Sequence, residues 1–322
     1  MPKKGCVRIM KGNALRWCLA VLLLVGLAML LSSPAVAEVE PIDMDIKAHG
    51  RVPKVNGWIS EEEYRDESIH VTLSSMRRKP KSSESEITCH WAVIEIADPS
   101  QLRTTMSNES YDDITLERPW IMAQRVNAVA ACNSDFVKYS YNVGYVVRQG
   151  EFYRDALDGE RDVLIIDNLG DFDFVRKATG PDMAAKREEI EADGRQIVNA
   201  FSFGPVLVVN GEVQETGLTK FEEKQVECKL PTQRIAIAQL DTLKYAIIEI
   251  DGGVVNGSGM NGMNLKELAT YITILFPDCK LAYNLDGGGS TSLMLNGKPV
   301  HRTPGSRKIS DIIYFASAVS ED

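Results

Sequence analysis

Seven short runs rich in β-branched residues, each closed by turn formers, commit most of this chain to strands: Ile69–Leu73, Ile87–Ile96, Asn127–Cys132, Gly144–Arg148, Asp162–Ile166, Gln196–Phe201 and Val206–Val209. Such runs suit a pleated surface buried on one or both faces. Helices open near Pro119, where proline suits a first turn, and over Met183–Ala192. Arg234-Ile-Ala-Ile-Ala-Gln239 and Tyr245–Ile250 read as two strands separated by a turn at Asp241-Thr242. Asn264 then offers a helix N-cap with Glu267 three residues on, and Leu265, Leu268, Ala269, Ile272 and Phe276 share one face before Pro277. The strand Leu281–Leu285 runs into Asp286-Gly287-Gly288-Gly289-Ser290-Thr291, and Asn296-Gly297 predicts a type I′ hairpin. The expected class is α+β: mixed, largely antiparallel sheets with a few packed helices in a single large domain, without internal repeat.

Lys3, Lys4, Arg8, Lys11 and Arg16 precede the apolar run Trp17–Leu31, and Ala35-Val36-Ala37 follows Pro34, the three-part pattern of a signal peptide over residues 1–37. The run falls short of the roughly 20 apolar residues of a membrane span. An uncleaved anchor is the alternative, with this segment as the only membrane contact. Residues 38–56 are polar and aperiodic and read as a linker, leaving a domain over 57–322 that is secreted or held in the cell envelope. The chain carries 36 Lys and Arg against 45 Asp and Glu, a net charge of −9. An acidic surface repels nucleic acid, so no such partner is expected, and an anionic substrate must meet a local basic group. Arg77–Lys81 with Ser82, Ser83 and Ser85 has no interleaved aromatic residue and reads as a solvated hairpin loop. Cys89, Cys132, Cys228 and Cys279 leave room for one or two disulfides but form no C-x-x-C pair, so no zinc site is expected. His49, His70, His90 and His301 share no spacing, and no metal or cofactor is expected.

Three consecutive glycines after a buried strand are costly to order, which makes Asp286–Thr291 the strongest local signal. Free N–H groups there would hold an anion or a sugar hydroxyl, and Asp286 would serve as an acid–base carboxylate. A plain tight turn is the alternative. Asn133-Ser134-Asp135 and Asp251-Gly252-Gly253 also follow strands, so three Asp-bearing turns suggest one rim where carboxylates converge, as glycoside hydrolysis requires. Arg234 in an apolar strand is either a structural ion pair or a bidentate phosphate clamp.

Taken together, Ala131–Phe136, Gly144–Arg148, Phe203-Gly204-Pro205, Arg234–Gln239, Asp251-Gly252, Gly262–Ala269, Asn284–Ser290, Ala97–Leu102 and Ser310–Tyr314 resemble the phosphodiester glycosidase family, whose bacterial exported members are often linked to exopolysaccharide. The resemblance runs from about Gly57 to the end. It implies hydrolysis of a sugar-1-phosphodiester to free sugar and phosphomonoester. It also implies a cleft lined by Asn133, Asp135, Arg234, Asp251, Asn284, Asp286 and Gly287 to Thr291, with Arg234 on the phosphate and Asp286 working with Asp251 or Asp135. Ser134 stands where the family has glycine, and Gln233, Ile235 and Ala238 depart from its P-R-T-A-I-G step. Ser134 and Ile235 are expected to add side chains facing the substrate.

Three readings follow. The first is an exported hydrolase of glycosyl phosphodiesters in envelope or exopolysaccharide glycan, with Arg234, and Arg307 or Lys308, meeting the anion. The second is a catalytically weak envelope glycan-binding or polysaccharide-assembly protein. The third is a phosphodiesterase with a metal held by Asp135, Asp251 and Asp286.

Overall fold

The computed structural model describes residues 39–135, 142–254, 260–301 and 307–319. The expected signal peptide and Phe136 of the first family motif lie outside them. Three sheets share one core. The largest runs, in spatial order, through Trp58–Ser60, Glu63–Arg65, Ile69–Arg78, Ile87–Ile96, Lys244–Ile250, Arg234–Asp241, Leu281–Asn284, Val206–Val209 and Glu212–Val213. A second holds Phe172–Val175, Val163–Asp167, Ile197–Phe201, Gly144–Arg148 and Glu151–Ala156. The third orders Lys298–Pro299, Leu293–Leu295, Ala128–Asn133, Asp311–Ala316 and Leu102–Met106. The α+β class holds, but every pairing among the described strands is antiparallel, so the sheets are not mixed.

Alternation decides which side chains meet. Ile235, Ile237 and Ile247 face inward with Leu285, Val129, Ile313 and Phe201 between the sheets. Ala236, Ala238 and Ile248 face outward onto Leu265, Leu268, Ala269 and Ile272 of the helix Leu265–Leu275, which starts with the expected capping box of Asn264 and Glu267. Helix Pro119–Arg125 covers the third sheet through Met122 and Ala123. Helix Gly180–Ala192 covers the second through Met183 and Ile190.

Three expectations need correction. The segment read as a linker is built in: Ile42 is buried, Arg103 donates to the main-chain oxygens of Asp43, Asp45 and Ala48, and Arg51 N–H bonds Ser317 O. Its polar sequence hides this because the main chain makes most of the contacts. The loop after Arg78 is docked rather than solvated, with Ser83 and Ser85 bonded to Asn261 Oδ1 and Ser82 N–H to Glu267. All four described cysteines are buried free thiols, so no disulfide forms among them.

Candidate active site

The sheet register sets the rim. Arg234 pairs with Ile250 and Ala236 with Asn284, so the strands leading to Asp251 and Asp286 end at the same edge with one strand between. Their main chains are separated by two strand spacings, about 10 Å. In the facing sheet Asn133 pairs with Ile312, which places Asp135 and Asp311 beside this edge. The Asn133 side chain bridges the two sheets: Nδ2 donates to Asp286 O at 2.7 Å, and Oδ1 accepts Ser292 N–H at 2.9 Å.

Asp286 opens the glycine turn and is half-buried. Desolvation pushes its carboxyl up to about 6, helped by the negative charge of Asp135 and opposed by a hydrogen bond from Ser290 and the charge of Arg307. Arg307 is exposed over the turn, its N–H bonded to Gly289 O at 2.7 Å and its Nη1 3.4 Å from Ser290 Oγ. The N–H groups of Asp286, Gly288, Ser290 and Thr291 already donate within the protein, so the expected ring of free donors is largely spent. Asn284 is buried with Nδ2 on Gly204 O, while its Oδ1 and Thr291 Oγ1 are buried without partners.

Two of the expected substrate ligands are structural. Arg234 is buried, and its guanidinium donates to the main-chain oxygens of Met263, Val226, Glu227 and Leu230, at 2.8–3.2 Å. It staples the 226–230 loop to the strand and is no free phosphate clamp. Asn133 likewise spends both ends of its amide internally. The two departures from the family pattern also turn inward: Ile235 lies in the core, and Ser134 Oγ donates to Asp311 Oδ2. Neither faces a substrate as expected.

Asp135 is nearly buried, with one oxygen on Arg148 Nη2 at 2.5 Å and the other accepting Ser202 N–H at 2.9 Å. Arg148 also reaches Asp311 Oδ2 at 2.8 Å and lies 4.2 Å over the Phe201 ring. One guanidinium thus serves two carboxylates, and burial pushes Asp311 up to about 6 although Arg148 opposes it.

Asp251 is half-buried, and its Oδ1 is 2.9 Å from His301 Nε2. That bond raises the imidazole above its ordinary value against desolvation. His90 stands 6.2 Å from His301, ring to ring, and burial followed by the His301 charge lowers it. Beneath them Glu249 is buried; Oε1 accepts Leu293 N–H at 3.2 Å and Oε2 has no partner. Burial pushes this carboxyl up to about 7, with His301 opposing. Sequence reasoning missed Arg148, Glu249, His301 and Asp311 as a group. Glu249 had a signal, a lone carboxylate inside an apolar run; the histidines had none, since the fold alone brings them together. Among the described residues no three His, Cys, Asp or Glu side chains form a metal-binding group, which leaves the third reading without a ligand set there.

The sequence profile of the phosphodiester glycosidase family matches residues 126–316. A prophage-derived uncharacterised protein of Bacillus subtilis is 27% identical over 188 residues, covering 56% of this chain and 26% of that protein. The chain therefore spans about a quarter of that relative's length. The catalytic domain of zebrafish N-acetylglucosamine-1-phosphodiester α-N-acetylglucosaminidase, auto-inhibited by its pro-peptide, superposes with a TM-score of 0.58 at 15% identity, over 83% of this chain and 87% of that one. A hypothetical protein from Synechocystis gives 0.52 at 15% identity, over 77% of this chain and 62% of that one. These superpositions establish a shared fold, the profile match covers more than half of the sequence, and the chain belongs to the phosphodiester glycosidase family.

Proposed function

We propose that this chain is an exported hydrolase that releases a sugar from a glycosyl-1-phosphodiester of envelope or exopolysaccharide glycan. The observation that carries the reading is Asp286: a carboxyl at the end of a buried strand, opening into a glycine turn, with its pKa raised to about 6 and Arg307 above it. Family membership supports the reaction class, and the basic, apolar and small-residue pattern of residues 1–37 supports export.

Water attacks the anomeric carbon, the bond from that carbon to the phosphate oxygen breaks, and the phosphomonoester leaves with the bonding pair. A phosphomonoester has a second pKa of about 6, so it departs without needing a proton at neutral pH. The harder task is activating water, and ionised Asp286 accepts its proton. Arg307 offsets charge building on the leaving phosphate, and the Asp251–His301 pair orients sugar hydroxyls at the same edge. The inward turn of Ser134 and Ile235 removes the objection those substitutions raised, which favours hydrolysis over the binding reading. The test is reducing-sugar release from a panel of sugar-1-phosphodiesters with chelator present, comparing wild type with Asp286→Asn. Release lost in the variant supports the reading; release by the variant at the wild-type rate, or none by folded wild type across the panel, sinks it.

A further inference from the structure

A cavity of about 590 Å3 lies between the Trp58–Arg65 hairpin of the largest sheet and the Leu293–Pro299 hairpin of the third. That volume is within the range of about 300–1,000 Å3 usual for ligand sites. Trp58, Leu73 and Val300 pack against the main core and also line the cavity. Tyr64 holds the indole in place: the two ring centroids are 4.8 Å apart, and Tyr64 is buried with its hydroxyl bonded to Asp66.

Polar groups surround this apolar patch. Ser75, Glu61, Glu62, Asn296 and Lys298 line the same space, and among the described residues their side chains make no hydrogen bond or ion pair. His90 completes the wall, paired across the sheet with Ser75 on one side and Glu249 on the other. Burial and then the His301 charge keep His90 below its ordinary value, so near neutral pH its ring offers one donor and one acceptor. The His301 ring is 6.2 Å away and holds Asp251, so His90 and Val300 carry the wall up to the Asp251–His301 pair at the rim. From His90 to the strand that ends at Asp286 is three strand spacings, about 14 Å, through Glu249, Ile235 and Leu285.

An indole beside hydroxyl, amide and carboxylate side chains matches a sugar ring. The C–H groups on one sugar face lie against the negative face of the π system, and the hydroxyls around its edge take the hydrogen bonds. Two carboxylates against one ammonium leave the opening negative, which disfavours an anionic unit. Trp58, Glu61, Ser75 and His90 all precede residues 126–316, so much of this wall lies outside the part that the family profile matches.

We propose that this cavity is a subsite for an uncharged sugar residue, with Trp58 as its stacking platform, one or more units beyond the sugar whose bond to phosphate is cleaved. The substrate is then an oligosaccharide-1-phosphodiester. The place of the scissile bond rests on the hydrolase reading; the sugar site itself does not.

The probes are neutral trisaccharides of N-acetylglucosamine, glucose and galactose, with a galacturonate trisaccharide as the charged control, titrated into the purified protein by calorimetry and tryptophan fluorescence. Wild type should bind at least one neutral trisaccharide saturably and the uronate more weakly. Trp58→Ala should weaken that binding by about tenfold or more, and Trp58→Phe by less. Ser75 is exposed, so Ser75→Trp fills the cavity without entering the core and should abolish binding at an unchanged Tm. Among phosphodiesters that are cleaved, the trisaccharide's should have a lower KM than the monosaccharide's, a difference that Ser75→Trp erases. The proposal is overturned if wild type binds no neutral trisaccharide or binds the uronate best, or if Trp58→Ala or Ser75→Trp binds like wild type. Equal KM values for the two lengths would overturn the oligosaccharide assignment. Trisaccharide binding by a protein that releases sugar from no phosphodiester would instead defeat the hydrolase reading and leave the subsite standing.

Discussion

Asn133 and Asp286 lie 153 residues apart, and the side-chain amide of the first donates to the main-chain oxygen of the second at 2.7 Å. Because Asn133 Oδ1 also takes Ser292 N–H, one side chain holds both flanks of the glycine turn. Removing it leaves the buried Ser292 N–H and the part-buried Asp286 O without these partners. Asn133→Ala is expected to cost about 3 kcal/mol in urea denaturation and to reduce sugar release in the fraction that remains folded.

Asp286→Asn should lower kcat by about 10²- to 10⁴-fold, the usual contribution of a general base, with the fold kept. The proposed general-base role makes the ionised form the active one, so kcat/KM should rise with pH through about 6 and then level. A pH profile that falls through this range would give the carboxyl an acid role instead.

Arg234 and Arg307 should respond in opposite ways. Arg234→Ala strips donors from four main-chain oxygens, two of them in buried hydrogen bonds, and should destabilise by about 3 kcal/mol. Arg307→Ala touches an exposed side chain and should leave the unfolding midpoint unchanged while raising KM for a phosphodiester by roughly tenfold, an effect that salt diminishes.

Glycines on the rim divide the same way. A Cβ on Gly262 would fall 2.0 Å from Thr232 O at a φ of +136°, so Gly262→Ala should prevent stable folding. Gly288 has a φ of +57° and open space around its Cβ position, so alanine there should cost only about 1 kcal/mol in thermal unfolding. Its methyl group would stand in the mouth of the turn and slow sugar release.

Glu249 has a folded pKa of about 7 against 4.5, so its contribution is fully present below pH 4.5 and is lost as pH rises through 7. Wild type should therefore lose up to about 3 kcal/mol between pH 4 and pH 8 that Glu249→Gln does not, measured by denaturant titration at the two pH values.

Local pattern made part of this legible. The strands Ile87–Ile96, Gly144–Arg148 and Val206–Val209 stand where their β-branched runs predict, and the capping box fixes the start of Leu265–Leu275. Leu102–Met106 and Asp311–Ala316 escape because buried Arg103, Thr104 and Asp311 interrupt their apolar character, and each is satisfied by residues distant in sequence. Glu151–Ala156 escapes as a polar edge strand. At the site, Asp286 and its glycines announce themselves by conformational cost. The cavity at Trp58 does not, since strands far apart in the sequence line it.

The strand Asp311–Ala316 sits inside its sheet, between Ala128–Asn133 and Leu102–Met106, and Gln101 and Arg51 tie residues 316 and 317 to the start of the domain. A nascent chain stopped short of residue 311 therefore presents two unpaired strand edges and an unfinished rim. Closing such distant contacts is slow, and the open edges are prone to pairing with other chains meanwhile. This topology delays folding until its late strand arrives, which suits the export proposed above, since passage through a narrow channel needs a chain that has not yet folded.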